Sequence, residues 1–204
     1  MALTKFIVDP THSDISFYVR HMLVARVRGA FRRWSGTLLV DDDCLANGAA
    51  EAQIEVGSVD TGDAHRDDHL RGRDFFDAES HPTMLFRSTE IDAVDGSRCQ
   101  LRGDLTLRGV TRAVVLDVEF GGRMRDPAAG DRVGFAARAC ISRKAFGMTF
   151  NQILDSGGLA LGDKVEIVID VEAVASPVVV IADPTEPPDA MMRQMLDARA
   201  AAKR

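Results

Sequence analysis

The sequence contains no Cys-x-x-Cys pair. Cys44, Cys99 and Cys140 stand far apart, without the spacing that a structural zinc or a redox dithiol needs, and are expected to be reduced thiols in the core or on the surface. Positive charge is also short: 25 Lys and Arg face 31 Asp and Glu, for a formal charge of −6 and a pI near 5.4. This excludes a general nucleic-acid binder, because affinity for a phosphate backbone needs a net basic face that releases counterions. Nor does any run approach the roughly 18 consecutive apolar residues that cross a bilayer, so membrane contact is expected to be peripheral at most. Met1-Ala2-Leu3-Thr4-Lys5 leads straight into an alternating segment. The apolar stretch of about 7–15 residues that marks a secretory signal is missing there, and a cytoplasmic location is the expectation.

What the sequence does have is period-2 alternation, running from the start to about residue 175, the signature of strands with one buried face. Ile15, Phe17 and Val19 alternate with Ser16, Tyr18 and Arg20, and Ala50, Ala52, Ile54 and Val56 with Glu51, Gln53 and Glu55. Later faces are Val114 to Phe120, Val133 to Ile141 and Val165 to Val171, with weaker candidates at Phe31 to Val40, Thr83 to Ile91 and Cys99 to Leu107. Turns are expected at Asn47-Gly48, Asp95-Gly96, Gly121-Gly122 and Gly157-Gly158. About eight or nine antiparallel strands follow, and closing them into a barrel removes their unpaired edges, with a two-sheet sandwich as the rival. A barrel of about eight strands is either filled by its own side chains or wide enough for one small ligand. The small residues Gly134, Ala136, Ala137 and Ala139 point to a wall that leaves space. Large side chains from the opposite wall are the alternative filling.

Two segments depart from the strand pattern. Asp63 to Arg71 reads as a short helix capped by Asp63, placed to cover one barrel opening. Residues 176–204 form an appendage to the 1–175 barrel: a linker with Pro184, Pro187 and Pro188, then an amphipathic helix from about Asp189 with a stripe of Met191, Met192, Met195 and Leu196. That stripe is expected to dock within the protein, with a second subunit or a membrane surface as alternatives.

The order of motifs carries more. Val8-Asp9-Pro10-Thr11-His12-Ser13, Arg20-His21, Gly29-Ala30-Phe31, Ser58-Val59-Asp60-Thr61 and Arg66-Asp67-Asp68-His69-Leu70 are followed by Arg73-Asp74-Phe75-Phe76-Asp77 and His81-Pro82. Then come Phe86-Arg87-Ser88-Thr89, Gly103 to Thr111, and Ser142-Arg143-Lys144-Ala145-Phe146-Gly147-Met148. In this order, over about residues 5 to 174, the chain resembles the YceI-like family of lipid-binding proteins. The resemblance implies an all-β, extended, lipocalin-like eight-stranded antiparallel β-barrel with a helical element near one end. It also implies a central channel for a polyisoprenoid or similar long amphiphile, frequent homodimers, and export to the periplasm in many members.

A binder of such a ligand, whether polyisoprenoid, isoprenoid quinone or fatty-acid-like lipid, needs a deep apolar channel with few polar groups at its mouth. The channel candidates are Phe17, Phe31, Phe75, Phe76, Phe86 and Phe146, with Ala137 on the small-residue wall. Each isoprene unit buried releases about 4 kcal/mol gross at about 0.8 kcal/mol per carbon. Affinities level off near −18 to −21 kcal/mol, so channel depth is expected to set the preferred chain length. For the polar end, His21, Arg66, His69 and Arg143 are the ligand-binding candidates, along with the strand arginines Arg20, Arg26, Arg28, Arg32 and Arg33. A solvated outer face is the competing reading for the strand arginines, and pairing of Arg66 with Asp68 or Asp74 for Arg66.

Chemistry beyond binding finds little support. His65 and His69 have metal-pair spacing but no third ligand at the usual distance, so no metal and no cofactor is expected. A triad of His12, Ser13 and Asp14 fails because consecutive strand residues point to opposite faces. The leading reading is a non-catalytic carrier or sequestering protein. The alternatives are an enzyme acting on an isoprenoid or quinone in the same channel, with His21, His69 or Arg143 at the mouth, and a stress-response interaction protein whose tail recruits a partner.

Overall fold

The alternating segments become eleven antiparallel strands in one sheet that closes on itself. They are seen in a computed structural model that describes residues 3–22, 25–41, 44–126, 130–152 and 160–176. In chain order the strands are β1 (Leu3–Val8), β2 (Asp14–His21), β3 (Ala25–Phe31), β4 (Trp34–Asp41), β5 (Ala49–Glu55) and β6 (Val59–Asp60). After α1 (Ala64–Arg71), the one α-helix among the described residues, come β7 (Thr83–Ala93), β8 (Arg98–Leu107), β9 (Val110–Asp126), β10 (Gly130–Ser142) and β11 (Leu161–Ala175). Among the described residues no helix is long and apolar enough to cross a membrane. The proline-rich linker and helix expected beyond Ser176, and the expected Gly157-Gly158 turn, lie outside the described residues.

Eleven strands make an eight-stranded barrel because three walls are each built from two pieces in succession. β11 pairs with β2 through its first ten residues and with β1 through Ala173 to Ala175, so β1 and β2 are one interrupted wall strand. In the same way β3 and β4 together face β6 and β5. The order around the ring is then β1/β2, β3/β4, β5/β6, β7, β8, β9, β10 and β11, and the β11 to β1 and β2 pairing closes it.

Side-chain hydroxyls repair the ladder where these walls break. Between β1 and β2 the chain loops out at Asp9 to His12, and Ser13 Oγ substitutes for backbone, accepting from Glu172 N–H at 2.8 Å and donating to Glu172 O at 3.2 Å. Between β5 and β6, Ser58 Oγ accepts from Arg33 N–H at 3.0 Å and donates to Glu55 O at 2.6 Å. Buried backbone groups need a partner, and two of the sequence motifs are thus explained as splices in the wall.

Two turns differ from expectation. Gly121-Gly122 is no turn: it lies inside β9, where the pairing shifts from Gly134↔Gly122 to Phe135↔Phe120. Gly122 has φ +118°, so this is a bulge that a flexible residue accommodates. The tight hairpin is instead Arg108-Gly109, a two-residue loop between β8 and β9 with φ of +53° and +71° at its two positions, the positive-φ pair that suits strand twist.

A candidate ligand cavity in the upper barrel

The inward faces of the wall strands leave a cavity of about 350 Å³ in the half of the barrel beneath α1. Its walls are Phe17 and Val19 on β2, Ala52 and Ile54 on β5, Leu105 and Leu107 on β8, Ala139 and Ile141 on β10, and Val165, Ile167 and Ile169 on β11. Alternation puts each of these inside, and the lining is apolar almost throughout. A second, smaller cavity of about 100 Å³ lies lower in the barrel, lined by Leu38, Ala50, Leu101, Val118, Phe135 and Val171 among others.

Helix α1 forms the cover. Asp63 caps it by accepting from Arg66 N–H at 3.1 Å, as its sequence position predicts. The buried Asp67 ties it down, accepting from Thr61 N–H at 2.9 Å and from Thr61 Oγ1 at 2.6 Å. Two aromatic groups follow from this placement. Phe17, Phe31 and Phe76 pack as a trio inside, with ring centroids 5.6–6.5 Å apart. His69, Phe75 and Phe150 pack edge-to-face at 5.0–5.4 Å, with His69 partly exposed and bonded to Asp74 at 3.0 Å. All six line the cavity.

Of the residues singled out from sequence, Phe17, His21, Phe31, Arg66, His69, Phe75, Phe76, Phe86 and Arg143 stand on the lining. Two do not. Ala137 faces inward but one step lower than Ala139, packed with Leu101 and Leu116 between the two cavities. Phe146 is fully buried on the 3-10 turn Arg143–Phe146 and packs into the upper core cluster behind the lining. Met148, Phe150, Gln152, Ala160 and Leu161 also line the space and had no strand periodicity to reveal them.

Four of the five strand arginines face outward into ion pairs, Arg26 with Glu166, Arg28 with Asp14, Arg32 with Asp60 and Arg33 with Glu55, and the fifth, Arg20, is exposed. Arg66 does not pair with Asp68 or Asp74. Its guanidinium donates to Thr61 Oγ1 at 2.7 Å and Thr61 O at 3.0 Å, while Asp68 pairs with Arg71.

Arg143 differs from all of these, being buried. Its Nε donates to Gly162 O at 2.9 Å, and its Nη1 to Met148 O at 2.7 Å and Phe150 O at 2.8 Å. Burial lowers its pKa, and Asp163 nearby opposes that shift. Asp163 is itself held below the usual carboxylate range, chiefly by the hydrogen bond from Ser142 Oγ. Three metal-type groups, Asp9, His12 and Glu172, converge on the outer surface. Arg132 sits among them and pairs with Glu172 and Asp9, supplying the positive charge there.

Known proteins agree with this architecture. A UPF0312 protein of Staphylococcus epidermidis is 39% identical over 165 residues, covering 80% of this chain and 94% of that protein. Among solved structures, BcnA of Burkholderia cenocepacia superimposes with a TM-score of 0.73 at 28% identity, covering 82% of this chain and 99% of that one. A polyisoprenoid binding domain from Saccharophagus degradans, implicated in plant cell wall breakdown, superimposes with a TM-score of 0.61 over 86% of this chain and all of that domain. At 18% identity that likeness speaks to fold alone. The YceI-like domain matches residues 6–173, nearly the whole barrel, and the chain belongs to the YceI-like family.

Proposed function

We propose that this protein binds one apolar chain, of the polyisoprenoid or similar amphiphilic kind, inside the upper barrel and holds it without chemical change. The observation that carries the reading is the cavity of about 350 Å³ with an almost wholly apolar lining. An apolar hollow of that size lies within the roughly 300–1,000 Å³ range of ligand pockets, and transfer of hydrocarbon from water into it is favourable at about 0.8 kcal/mol per carbon. The Saccharophagus domain, which shares the barrel, is named for polyisoprenoid binding.

Binding without turnover is favoured by what the lining hydroxyls and the His69 imidazole are doing. Ser16 Oγ donates to Val168 O, Thr61 Oγ1 donates to Asp67, and His69 is bonded to Asp74. A nucleophile needs a base within hydrogen-bond reach, and these hydroxyls are directed to structural acceptors instead. The test is organic extraction of the purified protein followed by mass spectrometry. An apolar amphiphile near one per chain is the expected result. Protein that yields no such molecule and takes up no added farnesol contradicts the reading.

A further inference from the structure

Strand β3 is seven residues long, and on the side away from β2 it pairs only with the two residues of β6, as Ala30↔Asp60 and Phe31↔Val59. The bond from Arg32 N–H to Ser58 O at 3.1 Å continues that ladder. Backbone groups of an antiparallel strand alternate in direction. Arg32 and Ala30 therefore bond toward β6, and the N–H and C=O of Arg28 and Arg26 point the same way. β6 ends at Asp60, and a φ of +79° at Gly62 leads the chain into α1. Among the described residues, no hydrogen bond meets the outward N–H or C=O of Arg26 or Arg28. Ala25, Arg26 and Arg28 are also exposed. The stretch from Ala25 to Gly29 is thus an open sheet edge, a template on which an extended segment can add a strand.

Side chains select the strand that fits. Arg26 and Arg28 leave the outer face with 52% and 51% of their side chains exposed. Arg26 pairs with Glu166 on β11 and lies over the Tyr18 ring at 4.7 Å, and Arg28 pairs with Asp14 on β2. Arg20, opposite Arg26 on β2, is exposed. The acidic partners all stand on the β2 and β11 side, which leaves the flank toward the open edge cationic. A second copy of this edge is a poor occupant. Any antiparallel register that joins the outward-bonding residues puts an arginine opposite an arginine, and like charges directly opposite are destabilising. An acidic strand meets complementary charge instead. Inward positions differ, because Val27 lines the cavity and Gly29 is buried. Side chains added beside them face the cavity rim, where apolar groups fit.

We propose that the β3 edge from Ala25 to Gly29 is a docking site for an extended acidic segment of a partner protein, added antiparallel in line with β6. Acidic side chains stand opposite Arg26 and Arg28, and apolar ones opposite Val27 and Gly29. This surface does not depend on what the cavity holds.

The probe is a short dye-labelled peptide of alternating glutamate and valine, titrated into the full chain by fluorescence anisotropy. The controls are its lysine–valine counterpart and the acidic peptide N-methylated on its glutamate amides. Each control is expected to bind at least about tenfold more weakly, one for want of charge match and the other for want of ladder bonds. Arg28→Pro removes an outward N–H without breaking a bond to β2, and should weaken the acidic peptide by about fivefold or more. The double variant Arg26→Glu with Arg28→Glu should reverse the order of the two charged peptides, and it keeps the test open if the proline variant does not fold. In the free protein the Arg26 and Arg28 amides should exchange fast with solvent, and slow when the acidic peptide is added, while Val27 and Gly29 stay slow throughout.

Protection of the Arg26 and Arg28 amides in the free protein would show the edge already covered and would overturn the proposal. Equal binding of the three peptides, or no saturable binding of the acidic one at millimolar concentration, would do the same. Slowing of those two amides as the protein itself is concentrated would make a second copy the occupant, which also overturns an acidic partner.

Discussion

Two glycines let aromatic rings lie flat against the barrel wall. A Cβ at Gly29 would stand 2.3 Å from Phe17, its cross-strand partner on β2, and one at Gly103 would stand 2.5 Å from the Phe86 ring and from Arg87 O. Such overpacking costs about 1–3 kcal/mol. Gly29→Ala and Gly103→Ala should each lose that much stability in urea unfolding and weaken uptake of an apolar chain, because both rings line the cavity. On the outer surface, Asp9 has its pKa lowered from 3.8 to about 2, first by the hydrogen bond from the His12 ring and then by the Thr11 amide. Its folded value lies below the unfolded one, so the carboxylate favours the folded state above pH ~4, and that contribution fades as pH falls toward ~2. Carboxyl carbon NMR should show Asp9 titrating near 2 in the wild type and nearer 3.8 in His12→Ala. A wild-type value near 3.8 would show the bond to be unimportant.

At the scale of elements, the part of the cavity wall that is not sheet is helix α1. Helix α1 is eight residues long and held by the bonds from Thr61 to Asp67. Removing the acceptor in Asp67→Ala leaves the half-buried Thr61 amide and hydroxyl proton without an acceptor, although Arg66 still donates to the hydroxyl oxygen, at about 1–3 kcal/mol. Hydrogen exchange over residues 61–71 should quicken and chain release should speed up, while exchange in β9 to β11 stays as it was. The strands themselves were legible because alternation fixes which face is buried. The wall breaks at Asp9 to Ser13, Arg32-Arg33 and Val56 to Ser58 were not, because hydroxyl side chains there replace ladder bonds and leave no periodic trace. Gly121-Gly122 misled for a related reason: a bulge and a turn both need a residue free to take positive φ.

Across the whole molecule, alternation gives a residue's face but not its height along the barrel. Ala137 and Ala139 share an inward face, yet only Ala139 lines the upper cavity. Phe150 and Met148 were missed because they follow the 3-10 turn, where no period marks them. Height also separates the two cavities. Phe86 packs against both the upper core and the Leu101–Leu116–Ala137 cluster, with its ring over Gly103, midway between Leu105 above and Leu101 below. Phe86→Leu should thin that partition and shift preference toward longer chains, read as the ratio of geranylgeraniol to farnesol affinity. An unchanged ratio would place the floor elsewhere.

The most direct test of the account is calorimetric titration of farnesol into the wild type and Ala139→Trp, with circular dichroism and melting recorded for both. Saturable binding of one farnesol per wild-type chain, with the negative heat-capacity change of apolar burial, and affinity at least about tenfold weaker in a folded Ala139→Trp, are the predicted results. A wild type that does not bind, or a folded Ala139→Trp that binds equally well, would contradict an apolar chain lodged in the upper barrel.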